Sequence, residues 1–287
     1  NSAKYATIGG NFIPSENIGE VLNQGIDACV NWNDKVGEDF TYNLGFNITF
    51  TKNKLRKTNE LNNIEDYRKS IGQPTSAIFG WQSQGLFGKD VAIVGHPFQS
   101  FGNYQVGDIA YADLNNDGMV DNNDQTCIGQ SFPKTTLGVD VTLNYKGFGL
   151  YILGTATTGV TQMLTSTYYW NKGLDGYSVL AKERYHPVNN PTGTQPRLTT
   201  TSGVNNYRNS TFWTKNGSFF RLKNVELSYT LNNNSKKGIG KNYKFFVRGA
   251  NLFVLSGIKE LDPEQMLAGI SNYPVYRTIT GGVSINF

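Results

Sequence analysis

Residues Thr278 to Phe287 alternate strictly between apolar and polar side chains. In an extended chain, Ile279, Gly281, Val283, Ile285 and Phe287 share one face, and Thr278, Thr280, Gly282, Ser284 and Asn286 share the other. A side-chain period of two makes this a strand with one apolar and one polar face. Two settings suit such a strand. One is the edge of a soluble sandwich; the other is a membrane barrel whose apolar face meets lipid and whose polar face meets a wet interior.

The same alternation returns along the chain. Phe40, Tyr42, Leu44, Phe46, Ile48 and Phe50 alternate with Thr41, Asn43, Gly45, Asn47, Thr49 and Thr51. Leu137, Val139, Val141, Leu143 and Tyr145 form a second series, and Val225, Leu227, Tyr229 and Leu231 a third. Ile26, Ala28, Val30 and Trp32 make a fourth, with Cys29 on the opposite face. Phe148 to Val160 is apolar on both faces in part, and a weak strand is expected near Tyr5 to Phe12. Helical periodicity is scarce. Tyr177 to Tyr185 reads as one short helix, ended by Pro187.

Composition favours the membrane setting. Of 287 residues, 32 are Gly, 16 Tyr and 17 Phe, and only 17% are charged, against about 25% in an average soluble domain. No apolar run is long enough for a membrane helix. The net charge of +4 is mild and forms no basic cluster that would suit nucleic acid. Cys29 and Cys127 make neither a disulfide framework nor a metal site, and no bond between them is expected. His96 and His186 each precede proline and lack any matching acid or nucleophile, so no enzyme chemistry is expected.

The connections segregate by length. Asp34–Asp39, Lys146–Phe148 and Asn232–Lys241 are short; 54–134, 164–217 and 256–275 are long and rich in Gly, Asn and Pro. In a membrane barrel the short turns are periplasmic and the long loops extracellular. Counting from a periplasmic C-terminus, strands 24–33, 135–146, 217–231 and 275–287 run inward, and 39–53, 148–163 and 241–255 run outward. Trp32, Phe40, Tyr145, Phe148, Tyr229, Tyr243 and Phe287 gather beside the short turns, as an interfacial girdle does. The expected fold is all-β: part of a large transmembrane antiparallel β-barrel with long extracellular loops.

Several motifs carry a family resemblance. Gly107-Asp108-Ile109-Ala110-Tyr111-Ala112-Asp113-Leu114-Asn115-Asn116-Asp117-Gly118 is one. Pro196-Arg197-Leu198, Asn209-Ser210-Thr211-Phe212-Trp213 and Ser218-Phe219-Phe220-Arg221-Leu222-Lys223-Asn224-Val225 follow in order, then Gly249-Ala250-Asn251-Leu252-Phe253, Leu261-Asp262-Pro263-Glu264 and the ending Gly282 to Phe287. Together they resemble SusC/RagA-type TonB-dependent outer-membrane transporters over nearly the whole chain. The resemblance implies that residues 1–287 are the C-terminal part of a plugged barrel of about 22 strands, with the plug, the TonB box and the N-terminal strands absent from this chain. It further implies a SusD-like surface lipoprotein as partner, TonB engaged through the missing N-terminal region, and import of oligosaccharides or peptides across the outer membrane. The alternative is a secreted, calcium-stabilised β-rich binding or adhesion module, which would be soluble without detergent.

One constellation carries chemistry. Asp113, Asn115, Asp117, Gly118, Asp121 and Asp124 occupy positions 1, 3, 5, 6, 9 and 12 of a calcium loop, with the Met119 carbonyl at position 7. Oxygen ligands at that spacing wrap one Ca2+, in a structural role; Asp rather than Glu at position 12 is the departure. A solvated Asx-rich turn is the alternative. For substrate, Tyr168, Tyr169 and Trp170 either stack on a sugar ring or pack the base of their loop. Arg248 and Lys244 share the polar face, to meet an anionic substrate or to pair with carboxylates such as Glu226.

Overall fold

A computed structural model describes residues 17–60, 64–173, 176–199, 205–232, 242–265 and 273–286. Seven long strands join one antiparallel meander in chain order: β1 (Glu20–Val36), β2 (Phe40–Lys57), β3 (Thr135–Tyr145), β4 (Phe148–Thr158), β5 (Phe219–Asn232), β6 (Asn242–Ser256) and β7 (Thr278–Asn286). All seven long strands expected from the sequence therefore form, each next to its neighbour in sequence. The expected strand at Tyr5 to Phe12 lies outside the described residues, as does Phe287.

Register shows why the faces separate. Tyr42, Leu143, Leu150, Leu227 and Val247 stand directly opposite one another across five strands, and so do Leu44, Val141, Ile152 and Val225. Opposed residues share a face, so the apolar series of the sequence merge into one band. That band is open: Val139 is 40% exposed, and Leu227 and Val283 are each 57% exposed. Among the described residues, no buried apolar side chain lies within the seven strands. A sandwich core would require the reverse.

Turn chemistry explains the short connections. Lys146 and Gly147 both have positive φ, 47° and 85°, the two-residue geometry that joins tightly twisted antiparallel strands. Farther along, the 148–163 strand is interrupted. Gly159 (φ 73°) ends β4, and Thr161–Met163 pairs instead with Thr214–Asn216. A bulge also crosses the sheet, leaving Lys223 without an opposite residue in β5, while Asn251 (φ 52°) absorbs the shift in β6.

The long connections are not loose. The chain divides into two compact units, one of 25–51, 131–170 and 214–287 with most of the meander, the other of 1–24, 52–130 and 171–213. The second has its own core, in which Trp81, Leu86, Phe87, Ile109, Tyr111, Val120 and Trp213 are buried. Short strand pairs frame it, such as Ala77–Trp81 with Gln125–Gln130 and Ser83–Leu86 with Ile109–Tyr111. The helix expected at Tyr177 to Tyr185 is one turn of 3-10 helix, Val179–Glu183, capped by the Ser178 hydroxyl. Competing bonds stop it early: the Glu183 carbonyl accepts the Thr194 and Gln195 amides, and the Tyr185 amide donates to Gln195. Both cysteines are free.

Candidate functional site

The sheet offers two chemically distinct faces. On the apolar face, Phe40, Tyr145, Phe148, Tyr229 and Phe245 stand opposite one another in a single row beside the short turns. Phe148 and Tyr229 touch, with ring centroids 4.5 Å apart. Phe50, 40% exposed, faces the same way farther along β2. Ten residues separate it from Phe40, about 33 Å of strand, or about 23 Å of height at a tilt near 45°. A lipid-facing band of an outer-membrane barrel is about 25 Å tall.

The polar face carries an ion cluster. Glu226 and Arg248 are directly opposite across β5 and β6. Glu226 accepts from Arg248 Nε at 2.8 Å and Nη2 at 2.5 Å, and from Lys244 Nζ at 2.7 Å. The carboxylate-pairing alternative for Arg248 is the one seen here, although its side chain stays 54% exposed. Higher on β5, the buried Arg221 holds both Asp262 oxygens at 2.7 Å and Glu264 at 3.2 Å, and the bulged Lys223 reaches Glu264 at 3.0 Å. Two motifs about 40 residues apart in sequence thus meet through one guanidinium.

Tyr169 is 3% exposed, and its hydroxyl lies 3.4 Å from Glu260 Oε2. Tyr168 packs edge-on against it at 5.1 Å, and Tyr168 and Trp170 are half-buried. The three aromatics therefore do not share one open surface.

The acidic loop is ordered by its own amides. Asp113 accepts from the Asn116 and Gly118 amides at 2.7 and 2.9 Å, and Asp117 from the Met119 amide at 2.8 Å. Asp124 is wholly buried; its two oxygens accept from Leu114 and Asp121 amides at 2.7 and 2.8 Å. Asp121 caps the 3-10 turn Asn122–Asp124 reciprocally with Asp124. The donors are all oxygens, which suits a hard cation. Among the described residues, no three His, Cys, Asp or Glu side chains gather around one point in this arrangement. Asp124, at position 12, spends both oxygens on amides of its own loop.

Sequence reasoning missed the polar network of the second unit. Asp108, 1% exposed, pairs with Arg197 Nε at 2.8 Å and accepts from Asn206 Nδ2 at 2.7 Å. Gln99, wholly buried, receives the Tyr111 amide at 2.7 Å and donates to Asn205 at 2.6 Å. The Asp108 and Arg197 motifs were both visible as strings, but no spacing rule links residues so far apart.

With this geometry in view, comparison with known proteins is direct. No protein-family model matches the chain. TonB-dependent receptor P26 of Formosa agariphila is 27% identical over 304 residues, covering 95% of this chain and 30% of the receptor. TonB-dependent receptor SusC of Bacteroides thetaiotaomicron is 26% identical over 303 residues, covering 100% of this chain and 28% of SusC. The solved structure of the RagAB peptide importer in its open-open state superposes with a TM-score of 0.71 at 18% identity, over 99% of this chain and 30% of that one. A structure described as the RagAB peptide transporter gives 0.68 at 19% identity, over 97% and 31%. The chain is thus similar, over nearly its whole length, to part of SusC-type TonB-dependent receptors. This chain spans about 30% of the length of the curated relatives it matches.

Proposed function

We propose that this chain forms part of the wall and outer loops of an outer-membrane, TonB-dependent importer of oligomeric nutrients. The observation that carries the reading is the seven-stranded meander with an open apolar band, bordered by a row of five aromatics at the end where the connections are short. Closure into a barrel with further strands satisfies the two free sheet edges, which in lipid have no water to bond. A SusD-like lipoprotein is the proposed partner, and oligosaccharides or peptides the proposed cargo; the relatives are named as receptors and importers rather than enzymes. The test is uptake of a fluorescent oligomer by the intact receptor, expressed with its lipoprotein in a Gram-negative host. Uptake is expected to cease when TonB is deleted. TonB-independent uptake, or a receptor that stays monodisperse in water without detergent, contradicts the reading.

Calcium at residues 113–124 is a narrower proposal, supported by the ligand spacing. It requires Asp113, Asn115 and Asp117 to turn oxygens inward from their present amide partners. Calorimetric titration of the intact receptor is expected to show weak binding, in the range of about 0.1–1 mM typical of extracellular modules; a flat titration removes calcium from the account.

A further inference from the structure

We propose that Arg208 receives a carboxylate of the transported ligand, so that this importer prefers acidic oligomers; the proposal rests on the importer reading above. In the second unit Trp81, Phe101 and Tyr111 form an aromatic cup, Trp81 meeting Phe101 edge-on at 4.9 Å and Phe101 meeting Tyr111 at 6.0 Å. All three rings are at most 7% exposed. Arg208 covers the cup, its guanidinium 3.9 Å from the Phe101 ring centre and 5.2 Å from that of Trp81.

What sets this arginine apart is a buried donor with no anion to receive it. Arg197, Arg221 and Arg248 each sit on a carboxylate at 2.5–2.8 Å. Among the described residues, Arg208 has no ion pair, and its buried Nε has no hydrogen-bond acceptor. Among the described residues the two terminal nitrogens have no hydrogen-bond partner either, and the residue as a whole is half-buried. Aromatic faces attract the charge but accept no N–H bonds in the guanidinium plane. Burial strips water from the group and lowers its pKa, with Tyr111 opposing that. A half-buried cation whose buried Nε lacks an acceptor gains when an oxyanion arrives. The flat fork matches a planar carboxylate through two parallel bonds, and with its back against a ring it cannot rotate away.

Purified intact receptor is titrated with oligoglutamate and oligogalacturonate, each as the free acid and as its methyl ester, following heat and tryptophan fluorescence. At least one free acid is expected to bind about tenfold or more tightly than its ester, a gain of about 1.4 kcal/mol. R208M is expected to bring that acid down to the ester's affinity while leaving the ester unchanged. R208K, which keeps the charge but loses the fork, is expected to fall between them, and it carries the test where R208M does not fold. Equal binding of acid and ester by the native receptor, absence of binding by either acid, or an acid preference that survives in R208M or is undiminished in R208K overturns the proposal. TonB-dependent uptake of a neutral oligomer is measured in parallel. If that persists, the importer reading stands even where the acid preference fails.

Discussion

Asp108 and Arg197 lie 89 positions apart in sequence and 2.8 Å apart in space, with a second bond from Arg197 Nη2 at 3.0 Å. The carboxylate also takes the Gln105 amide at 2.8 Å and the Asn206 side chain at 2.7 Å. Removing the guanidinium leaves a buried charge short of its partner, which costs about 3–5 kcal/mol for a buried pair. Arg197→Met is therefore expected to expose the 171–199 segment to protease in the intact receptor. Adding Asp108→Asn is expected to recover part of the loss, because the stranded charge is gone. Protease half-lives across the double-mutant cycle check this; additive single and double effects refute the coupling.

The two faces of β3 make a second prediction. Val141 lies between Leu44 and Ile152 on the apolar face, whereas Thr142 lies between Asn43 and Tyr151 on the other. Val141→Arg is expected to destabilise the barrel by about 2–4 kcal/mol near mid-bilayer, and Thr142→Arg to be mild. Urea unfolding of the receptor in lipid bilayers compares them directly. Equal costs contradict the lipid-facing assignment.

Glu60 supplies a pH dependence. Partial burial pushes its carboxyl up, but bonds from the Ser70 hydroxyl and the Ser70 and Ile71 amides, together with Lys69, outweigh that and hold it below the ordinary glutamate value of 4.5. A carboxylate depressed in the folded state adds stability above its unfolded value and loses it as pH falls through the folded one. The Ser70 and Ile71 amides are thus expected to stay protected at pH 6 and to open below about 4. Hydrogen exchange corrected for intrinsic rate reads this, and Glu60→Gln is expected to flatten the profile.

Two glycines separate backbone strain from collision. Gly118 has φ 86° and no atom within 4 Å of the place a Cβ would take, whereas at Gly85, φ 108°, the added carbon meets Asp90 at 2.5 Å. Gly118→Ala is expected to cost about 1–2 kcal/mol, the left-handed penalty alone. Gly85→Ala is expected to cost more, because Asp90 also holds the Leu86 amide at 2.9 Å. Thermal unfolding of the two variants ranks them; the opposite order contradicts the argument.

The strands were legible because a half-wet wall writes its faces into the sequence with period two, and Val139, Leu227 and Val283 keep that period in space. The acidic loop was legible as a spacing, yet the spacing gave no warning that Asp124 spends both oxygens on amides. The connections were legible only as length. Their core depends on Gln99, Asn205 and Asn206, polar residues whose burial follows from partners far away in the chain. Tyr177 to Tyr185 misled for a similar reason, since a remote segment at 194–195 claimed the carbonyl that a longer helix needed.

In the importer proposed above, the aromatic row from Phe40 to Phe245 would also serve as a depth gauge during assembly. A strand that slips by one position turns its ring toward water. A slip of two keeps the ring on the lipid side but lifts it by about 7 Å, out of line with its neighbours and away from the headgroups. Each of the five strands thus carries its own mark of how far it must travel, and the marks agree only in one alignment.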